Sequence, residues 1–227
     1  MEVYEPGVDQ VLRQWLEAGY PLGNHTYDHV DLDRMSVQAC IANIARIDHL
    51  LQTITPGQPL LRRRHIFRYP YLAEGETLQK RDAFRIYLFR NGYRIAEVTV
   101  NYNDWAWNKA YVRCVRQNNR ESIAWLKTHI VEDAQWNLNA STMMAGSLFH
   151  RNIPQILLIH IGVIDAVTLD TILKNFRAHH VKFITLDEAL ADPIYNINPN
   201  YVYRGEGTRR VEIPLEWRSQ KIALNIQ

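Results

Sequence analysis

Val8, Val11, Leu12, Trp15 and Leu16 recur at helical spacing, and Gly19 ends the run, so the chain opens on an amphipathic helix. The stretch GYPLGNHTYDHVDL that follows has no period and reads as a loop. Ser36 is placed to cap a second helix with Val37, Ile41, Ile44 and Leu51 on one face. Thr55-Pro56-Gly57 is a turn signal, and residues 66–71 read as a short extended run. Glu74 to Thr77 opens a third helix, which Asn91-Gly92 closes. Residues 95–100 predict a strand, 120–149 a long helix, and 155–160, the most hydrophobic run, another strand. Residues 168–179 read as helix and 181–184 as strand, and Thr185-Leu186-Asp187-Glu188 is a capping box for a short last helix.

Alternating strands and helices predict an α/β fold with a mostly parallel sheet. A continuous apolar run such as Ile156-Leu157-Leu158-Ile159 suits a strand covered on both faces. Beyond residue 196 the helical signal stops, and 196–227 reads as an irregular C-terminal extension. No internal repeat is found.

Composition narrows the picture. A chain of 227 residues with 47% hydrophobic and 22% charged residues is globular, and long enough to fold without a disulfide or metal staple. A net charge of +2 argues against a dedicated nucleic-acid binder. The apolar runs are too short for a membrane span. Met1 is followed by Glu-Val-Tyr-Glu-Pro, which is not a secretory signal. Cys40 and Cys114 lack metal-type spacing, and their pairing stays open.

Four places can carry chemistry. His25 and His29 stand four apart; on one face of a helical turn both imidazoles could reach one metal ion. Exposed or capping histidines are the commoner outcome for an isolated pair. Arg68-Tyr69-Pro70-Tyr71 joins a planar cation to a locked backbone, as many loop anchors do. Asn103-Asp104-Trp105 follows a predicted strand, and strand carboxyl ends host active sites in parallel α/β folds. An aromatic patch packed on a helix explains it equally well. His160 closes the most buried predicted strand, where it is either a site residue or a hydrogen-bonded core histidine.

Taken in order, GNHTYDH, FRYPY, NDW and LLIH resemble the motifs of the polysaccharide deacetylase family with the NodB homology domain, carbohydrate esterase family 4. The likeness runs from about Val8 to Tyr195 and includes the closing FITLDEALADPIY segment. It implies a distorted (β/α) barrel over 1–195, incomplete at its N-terminal edge. It implies a hydrolase that removes acetyl groups from an N-acetylated polysaccharide with a divalent metal, zinc above others. His25 and His29 then match metal ligands, and Tyr71 supplies a backbone N–H to the oxyanion. Trp105 lines the acetyl pocket, and His160 protonates the leaving amine. Asp104 orients His160, and Arg68 positions the catalytic base. An extracytoplasmic or periplasmic setting is what the likeness would suggest.

One family motif, Thr-Phe-Asp-Asp, has no counterpart. The first 24 residues hold only Glu2, Glu5, Asp9 and Glu17 as acids, and Asn101 stands where the fourth motif usually has its first Asp. The base and the third metal ligand are therefore missing, whether the chain is a fragment or a degenerate member. Three expectations follow: weak metal binding, poor or absent activity, and self-association through an open sheet edge. A glycan-binding homologue without catalysis is the competing class, and a metal amidohydrolase acting on a small amide is a third.

Overall fold

The computed structural model describes residues 7–54, 65–198, 200 and 202. They divide into two compact units, one of residues 7–54, 65–96, 200 and 202, the other of residues 97–198.

In the first unit, α1 (Val8–Glu17) buries Leu12 and Leu16 and stops where Gly19 turns left-handed. The loop 20–36 leads into α2 (Val37–Ile54), whose first turn is held by the Ser36 hydroxyl accepting from the Ala39 amide at 3.2 Å. Strand β1 (His65–Phe67) pairs in parallel with β2 (Tyr93–Ile95), and Asn24 adds a single parallel bridge on the other side of β1. Between the strands lie a 3₁₀ turn (Pro70–Leu72) and α3 (Leu78–Arg90), capped by Thr77, which accepts from the Lys80 amide. Leu32, Cys40, Ile44, Phe67, Phe84, Leu88 and Tyr93 form the core. Arg81, 1% exposed, is tolerated there because Glu74 sits 3.0 Å from its Nε.

In the second unit, α4 (Asp104–Arg116), α5 (Arg120–Phe149) and α6 (Val163–Ala178) pack together around Tyr102, Tyr111, Ile130, Ala134, Ile164, Ile172 and Phe176. The short α7 (Leu186–Leu190) carries the expected Thr185–Glu188 capping box, and a 3₁₀ turn (Pro193–Asn196) follows. A parallel bridge joins Val100 to Leu157.

Among the described residues the first unit has one parallel two-stranded sheet, and the second is helical with the single parallel bridge at Val100 and Leu157, so the α/β alternation is met only in part. The strand content is smaller than expected, and the described residues do not trace a closed barrel. The 155–160 run keeps only the bridge at Leu157, with Ile156 the sole side chain of Ile156 to Ile159 that is fully buried. Residues 181–184 form no strand, and Phe183 and Ile184 are exposed. The helix expected at 168–179 begins earlier, at Val163. Most of the expected extension, 196–227, lies outside the described residues. Both cysteines are free. Among the described residues no helix is long and apolar enough to cross a membrane.

Candidate functional site

The site residues predicted from the sequence fall into two clusters, one in each unit.

The first is built on the 24–29 loop. This loop is not the helical turn that the His25–His29 spacing suggested, because Thr26 and His29 both take left-handed backbone conformations (φ 61° and 51°). Its anchor is Asn24, 3% exposed. The Asn24 amide nitrogen donates to the Ile44 carbonyl at 3.0 Å and to Asp48 at 2.8 Å, and its oxygen accepts from the Thr26 amide at 3.0 Å. The Tyr93 hydroxyl also donates to Asp48. Both ends of the Asn24 amide thus have partners, which fixes the loop on α2 and β2.

On that base the imidazoles of His25 and His29 meet edge to face, with centroids 4.9 Å apart. His25 Nδ1 lies 2.7 Å from the Arg68 carbonyl oxygen, so Nδ1 carries the proton and Nε2 keeps its lone pair. Burial, outweighing that bond, holds the His25 pKa down to about 4, so the ring is neutral at pH 7 and fit to bind a metal. The Tyr71 ring meets His29 edge to face at 4.5 Å. Tyr71 and Leu72 are both left-handed (φ 56° and 54°), a turn that swings the chain past the histidines. Arg68 Nε donates to the Ala96 carbonyl at 3.2 Å, tying β1 to the end of β2.

The neighbouring acids do other work. Asp28 accepts from Arg46 at 2.9 Å and from Asn43 at 3.2 Å, Asp31 from the Asp33 amide, and Asp33 from the Gly75 amide. Among the described residues no group of three or more His, Cys, Asp or Glu could hold a metal ion. Two imidazole ligands fit; a third ligand is not among these residues.

The second cluster lies around the N-terminus of α4. Asn101 accepts from the Asn103 amide at 2.9 Å, a short turn that sets Asp104 as the first residue of the helix. Asp104 is thus helical rather than in a loop, and it is fully buried. It binds His160 twice: Oδ1 takes the Nδ1 proton at 2.7 Å, and Oδ2 takes the His160 backbone N–H. Oδ1 also accepts from the Trp105 amide at 3.0 Å. The His160 side chain is 43% exposed, so its second nitrogen, Nε2, can reach a substrate. Trp105 is exposed, with Lys109 Nζ 4.7 Å above its ring. Sequence reasoning placed Asn24 in the GNHTYDH motif without its anchoring role, and it missed Asp48, Tyr93, Tyr102 and Asp165. Each acts through a partner distant in sequence, and no local pattern marks it.

The polysaccharide deacetylase family model matches residues 4–85 of this chain. A curated chitin deacetylase from Arthroderma benhamiae is 30% identical over 70 residues, 31% of this chain and 18% of that protein. The chain therefore spans less than a fifth of the curated relative it matches. No solved structure matches. The matched stretch, residues 4–85, includes His25, His29, Arg68 and Tyr71.

Proposed function

We propose that the protein is a metal-dependent hydrolase that removes acetyl groups from an N-acetylated polysaccharide. The observation that carries this reading is the Asp104–His160 pair, because it lies outside the matched segment and so supports it independently. A buried carboxylate that holds Nδ1 and leaves Nε2 accessible is what a proton donor to a leaving amine needs.

In this reading His25 and His29 hold a divalent ion such as zinc, through imidazoles of which His25 is already neutral and oriented by Arg68. Such an ion, when bound, acidifies water and polarises an acyl oxygen. The Tyr71 backbone N–H, presented by a left-handed turn, serves the oxyanion. Trp105 lines the acetyl pocket, and His160 protonates the departing nitrogen while Asp104 fixes its orientation; Arg68 keeps the place of the residue that positions the base, and no base is identified among the described residues. The reading carries with it a NodB-type barrel around the parallel strand segments.

A second reading, a glycan-binding homologue without catalysis, is favoured by the lack of a three-residue metal cluster among the described residues. Incubating the zinc-supplemented protein with N-acetylated and O-acetylated glycans, with acetate release and glycan retention measured in parallel, separates the two. Acetate from the N-acetylated glycans supports the hydrolase. Retention without acetate supports the binding protein.

A further inference from the structure

Asp165 lies in the first turn of α6, five residues after His160, and is 4% exposed. Its Oδ1 accepts from the hydroxyl of Tyr102, itself fully buried, at 3.3 Å. Tyr102 stands two residues before Asp104. This one bond therefore joins the segment that carries Asp104 to the segment that carries His160. A second tie runs beside it, from the Ile164 amide to Asn108 Oδ1 at 3.2 Å.

Asp165 Oδ2 is buried without a hydrogen-bond partner and fills the space that a side chain at position 162 would need. A Cβ on Gly162 would fall 2.5 Å from that oxygen and 3.0 Å from the Asn108 side chain. The Gly162 backbone is extended (φ −131°, ψ 158°), so conformational freedom does not explain the glycine. Room for the Asp165 carboxyl does.

We infer that Asp165 is a positioning residue for His160, and that Gly162 is required because it leaves space for the Asp165 carboxyl. The inference rests on the reading of His160 as the proton donor. The role is to accept from the Tyr102 hydroxyl at 3.3 Å, while burial and then the nearby Asp104 push the Asp165 carboxyl up. Asparagine, which keeps an acceptor for Tyr102, should therefore replace it.

The test uses the whole chain with Asp165→Ala, Asp165→Asn, Gly162→Ala and the double variant Gly162→Ala/Asp165→Ala. The primary readout is the low-field proton resonance of the His160 Nδ1–H held by Asp104, recorded with the melting temperature. Asp165→Ala and Gly162→Ala should each weaken or abolish this resonance, and Asp165→Asn should keep it. Adding Gly162→Ala to Asp165→Ala should cost much less than Gly162→Ala alone, because the 2.5 Å contact has gone and only the 3.0 Å approach to Asn108 is left. In acetate release, the two damaging variants should lose ~10–100-fold in kcat with KM unchanged. A resonance that survives Asp165→Ala, or a Gly162→Ala cost that is the same in both backgrounds, would overturn the inference. Wild type that releases no acetate but shows the expected resonance pattern would sink the deacetylase reading and leave the positioning role standing.

Discussion

Nδ1 of His25 lies 2.7 Å from the carbonyl oxygen of Arg68, and this contact decides which nitrogen of the ring faces a ligand. The two residues belong to separate motifs, GNHTYDH and FRYPY, and the bond is made where the Asn24 bridge meets the end of β1. A peptide carbonyl can only accept, so the His25 tautomer is set by the backbone.

The low His25 pKa gives the metal-free protein a defined pH response. Between pH 6.5 and about 4 the unfolded chain binds a proton that the folded chain refuses. This contribution to stability is intact above pH 6.5 and declines as pH falls, by at most about 3 kcal/mol near pH 4. Chemical denaturation of metal-stripped protein at several pH values should show the decline, and His25→Gln should flatten it. An equal slope in the variant would contradict the assignment.

Replacing Asn24 by alanine should be costly. The Ile44 carbonyl, Asp48 and the Thr26 amide all lose a partner in a buried place. A loss of about 2–4 kcal/mol is expected from the urea midpoint, with zinc affinity falling because the loop bearing both histidines loses its anchor. An unchanged midpoint would show that the loop is held elsewhere.

Asp104→Ala should likewise destabilise the second unit by about 2–4 kcal/mol, because the His160 and Trp105 amides both lose their acceptor. Asp104→Asn keeps an acceptor for only one of the two amides and sets its NH2 against the other donor, so it should cost less than alanine but remain destabilising. Both variants should lose the oriented imidazole, which the ring resonances of His160 would report.

Trp105→Ala should leave the melting temperature nearly unchanged, since the indole is 47% exposed. If Trp105 lines the acetyl pocket, the variant should raise KM severalfold in the glycan assay. A large fall in stability with no change in KM would make Trp105 a packing residue.

Helices were legible because their signals are local. The long α5 spans the predicted 120–149, and the caps at Ser36 and Thr185 are made as read. Strands were less so: an apolar run shows that a segment can pair but not how far, and in 155–160 only Leu157 forms a bridge. Spacing of four suggested a helical turn for His25 and His29. The structure brings the rings together by another route, a loop with left-handed Thr26 and His29 whose Thr26 amide donates to Asn24 and whose Tyr27 and Asp28 amides donate to Asn43. The chemistry-bearing residues were visible as motifs, whereas the groups that hold them were not. Asn24 to Tyr93 is a separation of 69 residues and Tyr102 to Asp165 one of 63, beyond any periodicity.

The most direct test of the deacetylase reading is the rate of acetate release from an N-acetylglucosamine oligomer. It compares wild type with zinc, wild type with a chelator, and His160→Ala with zinc. The account predicts release that is abolished by the chelator and reduced about 10²–10⁴-fold in the variant. No release from zinc-loaded wild type, or the same rate in all three samples, would contradict it.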